Sequence, residues 1–137
     1  MPPIKILLCE DDTEKRNYLH LLMKGYDAFE VVGVFDRGET AIAQVALLEP
    51  DVVIMDIELP GISGIESTRL IKEALPDVHI VMYTIYEDED KLFDSLCAGA
   101  SGYLLKKTPP HYLVNAIREV MEGGSPMSPG IARKVIR

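Results

Sequence analysis

Four short apolar runs, at 4–9, 31–35, 52–55 and 78–83, are rich in β-branched residues and too short for helices of ordinary length, so they predict strands. A fifth, weaker run, Gly102–Leu105, follows the turn-like Ala98-Gly99-Ala100-Ser101 and completes a set of five. The gaps between the runs carry apolar residues at helical spacing: Leu19, Leu22, Met23 and Tyr26, then Ile42, Val45 and Ala46, then Ile65, Ile71 and Leu75. The pattern returns at Leu92, Phe93, Leu96, Cys97 and Ala100, and at Leu113, Ala116, Ile117 and Val120. The order is therefore (βα)5. Because the strand runs are continuously apolar rather than alternating, each strand is expected to be buried on both faces. That requires helices on both sides, as in a doubly wound α/β fold with a parallel five-stranded sheet. Ligands of such folds sit beyond the carboxyl ends of the strands where the strand order reverses, which makes the residues just after each run the candidates for chemistry.

Those positions hold Glu10, Asp11 and Asp12 after the first run, Asp56 after the third, Thr84 at the fourth and Lys106 after the fifth. Carboxylates crowded at one sheet edge repel one another unless a hard cation offsets them, and a small open set of oxygen ligands suits magnesium better than a closed calcium cage. Taken alone, Glu10-Asp11-Asp12-Thr13 also reads as a solvated loop capping a helix. Asp56 is different, since seven residues separate it from the next helix, with Pro60-Gly61 turning the loop and Gly64 permitting a tight entry. A carboxylate fixed beside a cation is a poised nucleophile that can take a phosphoryl group without a general base. Lys106 would add positive charge around the transferring oxygens. Singly, Lys106 also reads as a solvated lysine and Thr84 as a helix cap. What singles them out is acid pair, acceptor, hydroxyl and lysine, in that order, at the ends of strands one, three, four and five.

Composition narrows the function classes. The 137 residues suffice for one domain, and 47% hydrophobic against 26% charged is the balance of a globular chain. A net charge of −8 disfavours direct nucleic-acid binding by this segment. Cys9 and Cys97 lie far from any metal or CxxC spacing and are expected as two reduced, buried thiols. With no leader-like start and no apolar stretch near the ~18–20 residues of a membrane span, a cytoplasmic protein is expected. After Met121 the chain turns to a Gly/Pro/Ser cluster, and Ser128-Pro129 is expected to cap a short helix with Ile131, Val135 and Ile136 on its apolar side. From Ile117 onward four basic residues face two acidic ones, unlike the body of the chain. The expected organisation is a domain over 1–122 and, over 123–137, a linker with the start of a helix leading to a further domain.

Taken together, Ile6-Leu-Leu-Cys-Glu-Asp-Asp12, Pro50-Asp-Val-Val-Ile-Met-Asp56-Ile-Glu-Leu-Pro-Gly-Ile-Ser-Gly64, Val81-Met-Tyr-Thr84 and Ala98-Gly-Ala-Ser-Gly-Tyr103-Leu-Leu-Lys106 resemble the receiver domain of bacterial two-component response regulators, a flavodoxin-like, CheY-like fold. The resemblance implies Glu10 and Asp11 as the acidic metal pair, Asp56 as phosphoacceptor and magnesium ligand, and the Glu58 carbonyl as a further ligand. It implies Thr84 and Lys106 as contacts of the phosphoryl group and Tyr103 as the aromatic that changes rotamer. It also implies phosphoryl transfer from a sensor histidine kinase, homodimer formation, and a NarL/FixJ-type linker toward a LuxR-type helix-turn-helix domain that would carry DNA binding and transcriptional output. Two departures are Lys107 in place of the usual proline after the lysine and Ile85 in place of a small residue. Glu58 and Tyr86 are expected to flank the entrance and tune turnover. Three rival readings are a magnesium-dependent phosphatase of the haloacid-dehalogenase kind, a flavodoxin-like nucleotide module, and a phosphorylation-independent dimerisation module.

Overall fold

A computed structural model describes residues 2–136. Five strands, β1 (Ile4–Cys9), β2 (Phe29–Phe35), β3 (Val52–Met55), β4 (His79–Thr84) and β5 (Gly102–Leu105), alternate with α1 (Thr13–Lys24), α2 (Gly38–Leu48), α3 (Gly64–Ala74), α4 (Glu89–Ala98) and α5 (Pro110–Met121). A short α6 (Ile131–Val135) follows. All strand pairs are parallel, in the order β2-β1-β3-β4-β5, so the order reverses between β1 and β3. This is the doubly wound sheet that the continuous apolar runs predict.

Period-two alternation sends the strand side chains into two cores. Ile6, Leu8, Val52, Ile54, Val81, Tyr83 and Leu104 pack with α1 (Leu19, Met23) and α5 (Leu113, Ile117, Val120) on one face. Leu7, Cys9, Val53, Met55, Ile80, Met82, Tyr103 and Leu105 pack with α2 (Ala41, Val45), α3 (Ile71) and α4 (Leu92) on the other. Local capping sets where the helices begin: Asp12, Ser63 and Asp88 accept from the amides of Lys15, Glu66 and Lys91, and Pro110 opens α5.

Three expectations and one alternative reading are corrected. Cys97 is exposed, and Phe93 is 41% exposed, because α4 turns Leu92 and Ser95 inward instead. The cap of α4 is Asp88, not Thr84. Ser128 does not cap α6, whose N-cap is Gly130 without a side-chain bond, and Ile136 is 84% exposed, not on an apolar side. Finally, the Gly/Pro/Ser segment is not a bare linker over its whole length, since Pro126, Ser128 and Ile131 are buried against β5 and the α4 side of the sheet. Residue 137, placed by the sequence in the terminal stub, lies outside the described residues.

Candidate functional site

The reversal between β1 and β3 opens a crevice at the carboxyl edge of the sheet, and an open cleft of about 370 Å³ occupies it. Its lining includes Glu10, Asp11 and Asp12 from the β1–α1 loop, Asp56, Glu58 and Pro60 from the β3–α3 loop, and Lys106 after β5. Asp56 is held at the strand end by its own amide, which donates to the Cys9 carbonyl (3.1 Å), so β1 and β3 remain paired up to the acidic residues. Gly64 then allows the loop to close. A Cβ there would stand 1.7 Å from the Asp56 carbonyl oxygen, so only glycine lets α3 begin so close to the end of β3.

Carboxylate oxygens of Glu10, Asp11 and Asp56 all lie within 4.8 Å of one another. Glu10 and Asp56 are buried, at 2% and 5% exposure, while Asp11 faces solvent. The Lys106 ammonium donates to Glu10 Oε1 (2.5 Å) and to Asp56 Oδ2 (2.7 Å), offsetting one of the three negative charges. The remainder is visible in the proton affinities. Burial pushes the Asp56 carboxyl up to about 6; the Lys106 contacts and the Glu58 amide pull it back, and the Glu10 charge adds to the rise. Asp11 is raised by desolvation and by Glu10. For Lys106, burial opposes the charge, but bonds to Asp56 and Glu10 outweigh it and hold the ammonium above its ordinary range. An all-oxygen set of crowded carboxylates, short of compensating charge and open to solvent on one side, fits a hard divalent cation.

The structure therefore brings Glu10, Asp11, Asp56 and Lys106 together, with Glu58 on the rim. Thr84 is fully buried at the end of β4, where its hydroxyl accepts from the Tyr86 amide (3.3 Å) and its carbonyl from the Lys106 amide (2.8 Å). Tyr103 is fully buried on the opposite face from Tyr83, and its hydroxyl donates to the Tyr86 carbonyl (2.8 Å). The backbone between β4 and α4 thus links Thr84 to Tyr103. Ile85 is 60% exposed and lines the cleft.

Sequence reasoning missed two positioning contacts. Arg16, on the first turn of α1, donates from Nη1 to the carbonyls of Glu10 (2.9 Å) and Asp11 (3.2 Å), and so holds the backbone of the acid pair. Glu39, at the start of α2, accepts from the Ile62 amide (3.2 Å) and steadies the β3–α3 loop. An arginine one turn into a helix that follows an acid pair was the available signal for the first. Nothing in local spacing ties residue 39 to residue 62.

Residues 6–118 match the response regulator receiver domain family. Among characterised relatives, the chain is 36% identical over 132 residues to the response regulator GacA of Pseudomonas syringae pv. syringae, covering 96% of this chain and 62% of GacA. It is 34% identical over 134 residues to the transcriptional regulatory protein DegU of Brevibacillus brevis, covering 98% and 57%. The chain thus spans about three fifths of the length of these relatives. A solved two-component response regulator of the LuxR family from Aurantimonas sp. SI85-9A1 superimposes with a TM-score of 0.92 at 31% identity, covering 98% of this chain and 96% of that one. These matches leave the dehalogenase-type and nucleotide-module readings without support. By its fold, its strand-end motifs and these relatives, the chain belongs to the receiver domain family of two-component response regulators.

Proposed function

We propose that Asp56 is the phosphoacceptor, that Glu10, Asp11, Asp56 and the Glu58 carbonyl hold Mg2+, and that Thr84 and Lys106 receive the phosphoryl oxygens. The observation that carries this reading is the Lys106 ammonium bridging Glu10 and Asp56 inside a cluster of three carboxylates at the strand-order reversal. Bound there, Mg2+ would supply positive charge to the carboxylates and to the incoming phosphoryl oxygens. An Asp56 carboxylate oxygen attacks phosphorus of a phosphohistidine on a sensor kinase. The new O–P bond forms as the P–N bond breaks, and the imidazole leaves with the electron pair. Water attacking the same phosphorus later releases phosphate and restores the carboxylate. Lys106 is free to shift from Asp56 to a phosphoryl oxygen, and Thr84 can donate its hydroxyl proton while still accepting from Tyr86 N–H.

The output is a change of surface, with Tyr103 as the aromatic that follows the β4–α4 loop, and with homodimer formation in at least one state. Because the chain spans about three fifths of relatives whose names include a transcriptional regulatory protein, we infer that residues 1–122 act as the receiver and 123–137 lead toward a DNA-binding effector, which would carry the nucleic-acid contact. Action in the cytoplasm follows from the receiver family that residues 6–118 match; no described helix is long and apolar enough to cross a membrane.

The test is incubation with a small acyl phosphate and Mg2+, followed by intact mass and size measurements. Addition of one phosphoryl group is expected, lost in Asp56→Asn and on chelation. Addition to Asp56→Asn, or none to the native chain, would overturn the assignment.

A further inference from the structure

Beside the acidic cleft, on the α1–α5 side of the sheet, lies a second concavity of about 230 Å³, walled by Lys15, Tyr18 and Leu19 of α1, Tyr83 of β4, Lys106 and Pro110. The two hollows share Lys15 and Lys106 and nothing else. Their chemistry differs. The cleft gathers five carboxylates, whereas the neighbouring pocket is mostly apolar and has no acidic residue in its wall. In a chain of net charge −8, a recess whose charged residues are two lysines is set apart electrostatically.

Polar groups in this wall are left unused by the fold. Tyr83 is 9% exposed, and its hydroxyl has no hydrogen-bond partner among the described residues. Because no fully buried side-chain polar atom there lacks a partner, this phenol reaches the pocket that Tyr83 lines and not the core. The Lys106 ammonium is committed to Glu10 and Asp56, but that of Lys15 pairs with no carboxylate among the described residues, although Lys15 lines the acidic cleft as well. At Pro110 the pocket meets the start of α5, whose N-cap Pro109 offers no side-chain acceptor, so the partial positive charge of that helix end is not offset as it is at α1, α3 and α4. We propose that this pocket binds a small aromatic monocarboxylate, with the ring against Leu19, Tyr83 and Pro110 and the carboxylate taken by the Lys15 ammonium and the Tyr83 hydroxyl. The size follows from the volume, which lies below the about 300–1,000 Å³ of sites for drug-sized ligands and suits a single ring. The charge follows from the one unpaired ammonium, which matches a carboxylate better than a doubly charged phosphate ester. The proposal is independent of Asp56 as acceptor.

The test is a titration of the full chain with phenylacetate at neutral pH, followed by amide and methyl resonances, with 2-phenylethanol as the uncharged counterpart of similar shape. Phenylacetate should saturate with a Kd of about 1 mM or tighter and shift Leu19 and Tyr83 most, and 2-phenylethanol should bind about tenfold more weakly. Lys15→Gln should weaken phenylacetate about tenfold, and Tyr83→Phe, which keeps the ring, about fivefold. The amide spectrum reports whether each variant is folded; Lys15 is exposed on α1, so its variant carries the test if Tyr83→Phe does not fold. No saturation by about 20 mM, shifts centred on the acidic cleft instead of Leu19 and Tyr83, equal affinity for acid and alcohol, or native affinity in either folded variant overturns the proposal.

Discussion

Asp56→Asn removes one of two buried charges in a crowded trio that has a single lysine to offset it, and the free chain should become more stable as a result. The Asp56 carboxyl is pushed from 3.8 up to about 6, and each tenfold change in proton affinity is worth about 1.4 kcal/mol, so holding it ionised at neutral pH costs the fold about 3 kcal/mol. Asparagine keeps an oxygen that can accept from Lys106, and leaves that ammonium paired one-to-one with Glu10. The rise to about 6 is already net of the Lys106 bond, so the expected gain is at most about 3 kcal/mol. The sign fixes the pH window. A carboxyl whose folded value is raised contributes stability below its ordinary value and loses that contribution as pH rises through the folded one. The advantage of the variant should therefore be small near pH 4 and full above about pH 6–7. Denaturant titrations in a chelating buffer across this range measure it directly. Mg2+ at a hundredfold excess over its Kd would add about 2.7 kcal/mol to the native chain and little to the variant, so the two curves should converge. Equal or lower stability of Asp56→Asn in chelator at neutral pH, or an advantage that does not depend on pH, would refute the electrostatic argument.

Three further outcomes are expected. Arg16→Gln should weaken Mg2+ binding about tenfold, the value of losing about one charge-assisted bond to the Glu10 and Asp11 carbonyls, with Arg16→Lys in between; calorimetric titration of the metal checks this. Gly64→Ala should cost more than about 2 kcal/mol in denaturant titration and impair phosphorylation, because the clash at 1.7 Å is with the Asp56 backbone and no rotamer relieves it. A thiol reagent should label one site on the native protein, Cys97. Cys9, buried and pushed up to about 12 by burial and by the Asp56 and Glu10 charges, should react only on unfolding, and Cys97→Ser should abolish native labelling.

The fold was legible because a parallel sheet covered on both faces writes its strands as uninterrupted apolar runs, and three strand boundaries, Ile4–Cys9, Val52–Met55 and Gly102–Leu105, fall where those runs do. β2 begins earlier than its run because Phe29 sits in the core and pairs with Ile4 at the strand's start. α4 was read with too wide an inward face, since Leu92, Leu96 and Ala100 do pack against the sheet. Its buried positions include Ser95, whose hydroxyl returns to the Lys91 carbonyl (2.7 Å) and so conceals its polarity, whereas Phe93 and Cys97 look apolar and face out. Hydrophobicity alone cannot distinguish a satisfied serine from an exposed one. At the site, Glu10, Asp11, Asp56 and Lys106 were legible because strand ends converge by topology, before any side-chain detail is known.

What stayed hidden depends on long-range partners. Ser128 stands in a stretch whose composition says only that a helix cannot continue there, yet its hydroxyl serves a backbone amide 23 residues away and also contacts Thr108 (2.8 Å). The same glycine and proline content that reads as a linker lets the chain reverse after α5, at Gly123 (φ 91°), and lie flat along β5. Turn chemistry specifies where a chain changes direction and not what it then touches. Here it touches the strand that carries Lys106 and the loop that follows Thr84. The edge of the sheet is thus completed by a segment whose composition announces only a turn, and the partner it meets there is set by topology rather than by local spacing.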